Sequence, residues 1–400
     1  MSPGPAMVGA AAQPDVVRAL EVERRFHELY GKTCRIFRAP GRINLIGEHT
    51  DYNDGLVMPA AIDRSCWVAI SPTDSRTLDI HSDNFNESRS LDLDQPRRLG
   101  DWSDYAQGVA LMLEESGYHI RGGKMLIASD VPMGSGLSSS AAMEVAVALA
   151  LLDTQPDRCD SGRLARICQR AENEFVGARC GIMDQFVSSH GRAGHVLLLD
   201  CRSLEHRFVP LPDDACLVIC NTRLKHANAA GEYNLRRAQC EEGVRLLSAS
   251  IPTLKALRDL SLPELERSSH LLSSTVYRRC RHVVSENQRV LDAATALAQR
   301  SWPQLGKLMF ASHQSLRDDY EVSCPELDLL VELASQSSAV YGARMTGGGF
   351  GGCTINLVSR EAVEGFVENT VSKYYSETNV VPEIYLSTAS PGAGHWESPR

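Results

Sequence analysis

Four ionisable side chains lie within ten residues near the start of the chain: Arg42, Glu48, His49 and Asp51. They belong to the glycine-punctuated segment Gly41–Tyr52. Carboxylate and imidazole groups on one turn can satisfy several sugar hydroxyls at once, because each hydroxyl both donates and accepts a hydrogen bond. The segment therefore predicts a sugar-binding turn. The alternative is a strand that ends in a solvated, charged turn.

A second segment, Pro132–Ala141, follows an expected strand and opens an expected helix. Its glycines let backbone N–H groups crowd a phosphate, and a helix N-terminus adds partial positive charge. The G-K-[ST] ending of a P-loop is absent, and Ser139 stands where a Rossmann fingerprint has its third glycine. The alternative is a serine-capped helix after a tight turn. The candidate nucleotide-binding residues are Gly134, Ser135, Gly136, Leu137, Ser138, Ser139 and Ser140.

This loop has no lysine, so a bound triphosphate would need a metal ion to offset its charge. A serine hydroxyl can ligate Mg²⁺, and a carboxylate must come from elsewhere. Glu172 and Glu174, on the next expected helix, are the nearest candidates. An exposed helical glutamate is more often part of a solvated face, and the residues alone do not choose between the two.

A third segment, Arg344–Cys353, has five glycines in six positions between two strand-like runs. Such a backbone can approach a ligand or another backbone closely, and a flexible hairpin is the alternative. The candidate site residues in this third segment are Gly347, Gly348 and Gly349.

A fourth segment, Cys180–Phe186, places Asp184 among apolar neighbours. That carboxylate is an acid/base group, a helix cap or half of a buried ion pair.

Composition limits the classes of protein and partner. The 400 residues are 43% hydrophobic and 23% charged, which is typical of a globular chain of two or three domains. A net charge of −9 argues against general nucleic-acid binding, which needs lysine and arginine to neutralise phosphates. The longest apolar run, Val145–Leu152, is too short for a membrane span of about 20 residues. Twelve scattered cysteines, without a leader-like N-terminus, indicate reduced thiols and a cytoplasmic protein.

The pattern of helices and strands is that of an α+β protein. Helices are expected at Asp15–Tyr30, Tyr105–Glu115, Ser138–Leu152, Leu164–Phe175, Met183–Ser189 and Ala362–Tyr374, and over most of Tyr233–Leu316. Strands are expected at Arg35–Arg38, Arg42–Ile46, Trp67–Ile70, Leu78–His81, Lys124–Ser129, Val196–Leu199, Leu217–Cys220, Tyr341–Met345 and Cys353–Leu357. We place one domain at 15–209 and a second at 210–390, with loose termini at 1–14 and 391–400.

The three glycine-containing segments together resemble the motifs of the GHMP small-molecule kinases. The segment Gly41–Tyr52 resembles the galactokinase signature, and the resemblance extends over roughly residues 15–390. It implies two α+β domains with the active site between them. The N-terminal domain would be ribosomal-protein-S5-like and the C-terminal domain ferredoxin-like. The implied reaction is transfer of phosphate from ATP to the C1 hydroxyl of α-D-galactose, the first committed step of galactose catabolism.

The resemblance also implies roles for individual residues. Asp184 would be the catalytic carboxylate, with Arg42 beside it, and Ser140 and Glu172 would ligate Mg²⁺. Trp102 would lie near the adenine of ATP, and the third segment would close on the sugar and phosphates. Asp184 would accept the proton of the C1 hydroxyl or only orient that hydroxyl. The implied sugar contacts are Arg42, Glu48, His49, Asp51, Gly181, Asp184 and Tyr233.

Two other interpretations remain open at this point. Another GHMP sugar kinase, for N-acetylgalactosamine or arabinose, would share these motifs. A galactose- and ATP-sensing regulatory protein is the rival from a different class, but the unbroken run from Gly136 to Ala141, with Arg42 and Asp184 present, favours catalysis. The expected partners are galactose and ATP, with no nucleic acid and no membrane, and a monomer is favoured.

Overall fold

The computed structural model describes residues 15–153, 155, 159–211, 213–225 and 229–397. The expected N-terminal arm, residues 1–14, lies outside the described residues. Within these ranges no helix has the length and apolar character that crossing a bilayer requires.

Both halves of the described chain contain α-helices and β-strands. The α-helices are α1 (Asp15–Tyr30), α2 (Ser103–Glu115), α3 (Ser139–Leu152), α4 (Ser161–Arg170), α5 (Met183–His190), α6 (Ala229–Ser248), α7 (Leu262–Arg267), α8 (Ser274–Ala298), α9 (Trp302–Ser315), α10 (Pro325–Ser335) and α11 (Val363–Thr378). The strands are β1 (Arg35–Asn44), β2 (Leu56–Val57), β3 (Pro59–Pro72), β4 (Thr77–Ser82), β5 (Glu87–Asp92), β6 (Gly123–Ser129), β7 (His195–Asp200), β8 (His206–Pro210), β9 (Ala215–Lys225), β10 (Val340–Thr346), β11 (Gly351–Ser359), β12 (Glu383–Ser387) and β13 (Gly394–Trp396).

The N-terminal half is built on a six-stranded sheet of order β13-β1-β3-β6-β4-β5, in which β4 and β6 are parallel. The helix α3 packs on β1 and β3. It is rich in alanine and valine and buries residues around most of its circumference, as expected for a central helix. Because the phosphate-loop candidates immediately precede α3, this packing places them beside β1.

The C-terminal half contains a four-stranded antiparallel sheet of order β10-β11-β9-β12. Between β9 and β10 the chain forms helices α6 to α10, and α11 connects β11 to β12. This strand order is that of a ferredoxin-like domain. A small third sheet, β2-β7-β8, lies beside the sugar-turn candidates, because β2 follows them directly. The α+β prediction is confirmed.

The expected domain boundary falls where the chain changes sheets. Strand β8 ends at Pro210 and pairs with β7, whereas β9 begins at Ala215 and pairs with β11 and β12. The largest buried cluster nevertheless joins both halves, with Ile43 and Val145 from one and Ile355 from the other. We therefore propose a division of the chain near residue 210 into two domains that share one buried core.

Several expectations need correction. The sequence predicts a loose segment at residues 391–400, but β13 pairs with β1 through Ile36 and Trp396, so residues 394–396 extend the sheet. Residues 398–400 lie outside the described residues. Trp396 packs edge-on against buried Trp67, with ring centroids 5.7 Å apart, and this apolar contact helps to hold β13 on the sheet. The two expected strands at 35–38 and 42–46 are one strand with a register shift between Pro40 and Arg42. The elements that the sequence analysis missed are β2, β5, β8, α10, β12 and β13.

Candidate active site

One cleft of about 270 Å³ collects most of the predicted site residues from both halves of the chain. The N-terminal half contributes the sugar turn, which we define as Gly47–Tyr52, and the phosphate loop, which we define as Gly134–Ser140. The C-terminal half contributes Tyr233 of α6 and the third glycine segment. The predicted residues that line the cleft are Arg42, Glu48, His49, Asp51, Gly134, Gly136, Ser138, Ser139, Ser140, Gly181, Asp184, Tyr233, Gly347 and Gly348.

The sugar turn has an unusual backbone. Gly47 has a φ of +101°, and His49 has a φ of +62°, a left-handed conformation that is uncommon for a residue with a side chain. A Cβ at Gly47 would lie 2.7 Å from the carbonyl oxygen of Leu56, so only glycine fits there. This sharp reversal presents the side chains of Glu48 and His49 to the cleft.

The side chains of the turn are buried and paired. The carboxylate of Glu48 accepts a hydrogen bond from Arg344 Nη2 at 2.8 Å, and both side chains are buried. Burial raises the pKa of Glu48, and Arg344 opposes that shift. Burial lowers the pKa of His49 well below its ordinary value, so the imidazole is neutral. His49 Nδ1 lies 2.8 Å from the hydroxyl of Tyr52, and its buried Nε2 has no protein partner.

Asp51 faces Gly181 across the cleft. A Cβ at Gly181 would lie 2.0 Å from Asp51 Oδ2, so a side chain there would displace the carboxylate. Burial, together with the nearby charge of Asp184, raises the pKa of Asp51 to about 7. This carboxyl group therefore gains or loses its proton near neutral pH.

Arg42 and Asp184 form a bidentate ion pair in the cleft. Arg42 Nε donates to Asp184 Oδ1 at 2.8 Å, and Arg42 Nη2 donates to Oδ2 at 2.9 Å. The hydroxyl of Ser138 also donates to Asp184, and the remaining guanidinium nitrogen of Arg42 donates to the carbonyl of Gly136. Burial by itself would lower the pKa of Arg42. The negative charges of Asp184 and Glu48 have a larger opposite effect, so the pKa lies above its ordinary value. Of the three interpretations of Asp184, the ion pair is confirmed.

The phosphate loop is held against β1, and its members face different ways. The backbone N–H of Arg42 donates to the carbonyl of Leu137 at 3.0 Å, while the Leu137 side chain is in the core. Ser135 is buried, and its hydroxyl donates to the carbonyl of Pro132, so neither side chain reaches the cleft. Ser138 precedes α3 but its side chain makes no capping hydrogen bond. The alternative of a serine-capped helix is therefore wrong for Ser138.

The third segment closes on the phosphate loop by backbone contact. Gly347 has a φ of +86°, and a Cβ there would lie 2.7 Å from the carbonyl oxygen of Gly136. Gly349 instead packs against Val322, where a Cβ would lie 2.2 Å from the carbonyl oxygen, and it lines an adjoining opening of about 580 Å³. The glycines thus permit close approach of two loops from opposite halves.

Glu172 lies behind the phosphate loop, in the π-helical turn Ala171–Val176 that follows α4. Ser140 Oγ donates to Glu172 Oε1 at 3.2 Å, and burial raises the pKa of Glu172. The amide of Gln185 bridges Glu172, at 2.7 Å, and the fully buried Glu144, at 2.9 Å. Glu174, the other candidate from the sequence, is exposed and pairs with Arg170 at 2.9 Å.

A hydroxyl and a carboxylate this close form the hard oxygen pair that Mg²⁺ prefers. Within the described ranges, no group of three or more histidine, cysteine, aspartate or glutamate side chains is placed to hold a metal ion. Mg²⁺ commonly keeps waters and phosphate oxygens in its shell and takes one or two protein ligands. Ser140 and Glu172 therefore fit a cation that also binds a nucleotide.

Trp102 lies outside the main cleft and lines a neighbouring apolar pocket of about 200 Å³. Its ring is stacked on that of Phe85, with centroids 6.0 Å apart and 12° between the planes. Ser139 and Ser140 border both cavities, so a flat base in this pocket would have its phosphates at the loop. Phe85 is nearly half exposed, so part of its ring is accessible at this pocket.

Sequence reasoning missed several residues of the site. Tyr52 OH lies 2.8 Å from Tyr320 OH, and this pair supports His49. Arg344 was noted only as the start of the third segment. Phe85 lies between two polar residues, Asn84 and Asn86, and carried no signal of its own. Tyr52 and Arg344 are the end residues of recognised segments, and that position was the available signal.

Comparisons with known proteins agree with this geometry. The galactokinase galactose-binding signature matches residues 24–72, the GHMP kinase N-terminal domain residues 104–192, and the GHMP kinase C-terminal domain residues 293–377. The chain is 46% identical over 376 residues to a galactokinase of Roseiflexus sp. (strain RS-1), which covers 94% of this chain and 96% of that protein. It is 42% identical over 402 residues to a galactokinase of Homo sapiens, with 96% and 99% covered.

The fold is also similar to those of solved kinase structures. The galactokinase of Lactococcus lactis, crystallised in complex with galactose, superposes with a TM-score of 0.92 at 35% identity and covers 95% of this chain and 100% of that one. The mevalonate kinase of Methanococcus jannaschii superposes with a TM-score of 0.62 at 17% identity, covering 90% and 99%, and shows the shared fold alone.

Proposed function

The chain belongs to the galactokinase family of the GHMP kinases, and from that premise we propose that the cleft around Arg42 and Asp184 phosphorylates the C1 hydroxyl of α-D-galactose. ATP-dependent phosphorylation of galactose is the activity of the chain. The observation that carries the site assignment is the bidentate Arg42–Asp184 pair, where the sugar turn meets the phosphate loop.

Asp184 is the group that receives the C1 hydroxyl of the sugar. Its carboxylate accepts from Arg42 and Ser138, and its side chain remains about a quarter exposed toward the cleft. Phosphoryl transfer passes through a loose transition state, so its catalysis depends mainly on the positioning of the reacting groups and the stabilisation of charge. Because the Arg42 guanidinium stabilises the carboxylate, Asp184 orients the hydroxyl first and takes its proton late. Arg42 orients Asp184 and balances charge that develops on the transferred phosphoryl group.

The sugar turn supplies the hydrogen bonds that recognise the remaining hydroxyls. Glu48 and Asp51 offer acceptors, and neutral His49 offers a buried ring nitrogen without a protein partner. Gly181 leaves room for Asp51, and Tyr233 closes the cleft from the C-terminal half. An epimeric sugar is disfavoured, because it leaves buried polar groups unpaired.

The nucleotide occupies the phosphate loop and the aromatic pocket beside it. The adenine of ATP stacks on Trp102 and Phe85, and the phosphates meet the backbone amides at the N-terminus of α3. Ser140 and Glu172 would hold Mg²⁺. When bound, Mg²⁺ offsets phosphate charge and polarises the phosphoryl group. The cysteines of the chain are all unpaired thiols, which supports a reducing, cytoplasmic setting.

A coupled assay of ADP release with four sugars tests this function. We expect turnover with galactose, and far less with glucose, N-acetylgalactosamine or arabinose. Phosphorylation at C1 removes the free anomeric hydroxyl, so the product loses its reducing end, whereas phosphorylation elsewhere leaves it intact. Faster turnover of another sugar would reassign the substrate. Sugar and ATP binding without ADP release would favour the regulatory alternative.

A further inference from the structure

The helix α8 belongs to the C-terminal half, yet two of its fully buried side chains hydrogen-bond the backbone of the sugar turn. Glu286 Oε1 accepts from the N–H of Gly47 at 2.9 Å and from the N–H of Glu48 at 3.3 Å. His282 Nε2 lies 3.0 Å from the carbonyl oxygen of Glu48. The peptide groups on both sides of Glu48 are thus held by one helix.

The turn needs such external support. The left-handed conformation of His49 is unfavourable for a residue with a side chain, and it persists only where surrounding contacts enforce it. Within the turn, the Thr50 hydroxyl donates to the carbonyl of Gly47 at 2.8 Å. The N–H groups of Gly47 and Glu48 point instead to Glu286, in a region that excludes water.

The acceptor itself is rigid and charged. Glu286 Oε2 accepts from Arg289 Nε at 2.6 Å, and Oε1 also accepts from the Ser312 hydroxyl at 2.6 Å. Burial by itself raises the pKa of Glu286, but neighbouring cations led by Arg289 lower it to about 2. Hydrogen bonds to an ionised carboxylate are roughly twice as strong as neutral ones.

We propose that Glu286 is a positioning residue for the sugar site, which holds the sugar turn so that Glu48 and His49 meet galactose. It sets the affinity for the sugar and leaves the affinity for ATP unchanged. This inference rests on the proposed assignment of Glu48 and His49 to the sugar. Glu286 itself touches neither substrate, because it lies behind the turn and does not line the cleft.

The variant Glu286→Gln tests the proposal, because it keeps the size of the side chain and removes its charge. We expect the KM for galactose to rise by roughly tenfold, with the KM for ATP within about twofold of the parent. Hydrogen–deuterium exchange of the folded protein should show faster exchange of the Gly47 and Glu48 amides. A galactose KM within about twofold of the parent, or equal rises in both KM values, would overturn the proposal.

Ser312→Ala is the matched control. It removes a hydrogen bond to the same carboxylate oxygen but leaves Glu286 as the acceptor for the turn. We expect a lower Tm and a galactose KM within about twofold of the parent. If Ser312→Ala raised the galactose KM as much as Glu286→Gln, the effect would come from general helix packing, and the positioning role would be rejected.

A second pair of variants keeps the proposal testable if Glu286→Gln does not fold. In His282→Gln, the amide nitrogen can take the place of Nε2 and still donate to the Glu48 carbonyl. In His282→Asn, the shorter side chain places its amide near Nδ1 and leaves that carbonyl unpaired. We expect a larger galactose KM for His282→Asn than for His282→Gln. Equal values would contradict the proposal that side chains of α8 hold the sugar turn.

Glu48→Gln, in the same assay, tests the assignment of Glu48 to the sugar separately from the positioning role of Glu286. If it leaves the galactose KM unchanged, the assignment of Glu48 to the sugar is wrong. If it raises the galactose KM while Glu286→Gln does not, the sugar assignment stands and only the positioning role of Glu286 is lost.

Discussion

The guanidinium of Arg42 and the carboxylate of Asp184 are joined by two parallel hydrogen bonds of 2.8 and 2.9 Å, although the residues lie 142 positions apart in the chain. This pair connects the end of β1 to the first turn of α5. Parallel donors in a planar fork restrict the carboxylate to one orientation. The carboxylate of Asp184 is therefore held in one orientation, and the proposed function requires no rearrangement of it at the moment of transfer.

Asp184→Asn should lower kcat by several orders of magnitude, because an amide neither accepts a proton well nor balances the charge of buried Arg42. The measurement is steady-state turnover, with galactose binding and circular dichroism as checks that the site remains folded. A loss of less than about tenfold, equivalent to about 1.4 kcal/mol, would rule out a role as base. If the loss is large, the pH–rate profile separates proton transfer from orientation.

Galactose binding should weaken as the pH falls through 7. The raised pKa of Asp51, about 7, means that its carboxyl group gains a proton below that pH and loses an acceptor for a sugar hydroxyl. The KM for galactose should therefore rise between about pH 8 and pH 6, with the KM for ATP much less affected. In Asp51→Asn the galactose KM should be high and nearly independent of pH. A pH dependence that survives in this variant would assign the titration to another group.

Gly181→Ala should raise the KM for galactose by at least roughly tenfold, because its Cβ would lie 2.0 Å from Asp51 Oδ2 and displace the carboxylate. Gly365→Ala in α11 is a matched control, because a Cβ there meets nothing within 4 Å. That control should keep parental kinetics. Parental galactose affinity in Gly181→Ala would show that the position of Asp51 is unimportant.

Glu172→Gln should increase the Mg²⁺ concentration for half-maximal activity by about tenfold or more, since a neutral amide is a weaker ligand than a carboxylate. Glu174→Gln is the matched control. Its carboxylate is exposed and bound to Arg170, so its Mg²⁺ requirement should match that of the parent. Equal Mg²⁺ requirements in both variants would remove Glu172 from the metal site.

Phe85→Ala should raise the KM for ATP and spare the KM for galactose. An aromatic ring stacked on a base contributes about 1–3 kcal/mol, which corresponds to roughly fivefold or more in affinity. Leu386→Ala, at a similarly exposed apolar residue on β12, provides the comparison. If nucleotide affinity is unaltered in Phe85→Ala while the protein remains folded, the base lies elsewhere.

The choice between Glu172 and Glu174 illustrates how far sequence reasoning reaches. Both glutamates lie two positions apart in one helical pattern, and the resemblance to the family selected Glu172. In the structure the two side chains point in different directions, as residues two positions apart on a helix do, because each residue turns the chain by about 100°. Glu172 is buried beside Ser140, while Glu174 is exposed. Helical periodicity places the two residues on opposite faces, but it does not say which face packs against the phosphate loop.

The residues that support the site were harder to predict than the residues that line it. Glu286 and Tyr320 lie in helical or π-helical segments far along the chain from the sugar turn, with ordinary neighbours. A buried acidic residue in a helix looks, in sequence, like one on a solvated face. Its function depends on the backbone N–H groups brought to it from 238 and 239 positions away, and no local pattern records them.

By itself, the sequence determined the α+β class, the three loops and the kinds of side chain available for chemistry. Those properties depend on local effects: the periodicity of apolar residues, the conformational freedom of glycine, and the donors and acceptors that each residue type carries. Only the tertiary structure decided which groups meet, such as Arg42 with Asp184, Gly136 with Gly347, and Glu286 with the sugar turn. It also made the last strand part of the first sheet. These contacts depend on the packing of elements distant in the chain, where burial changes both the partner and the pKa of each group.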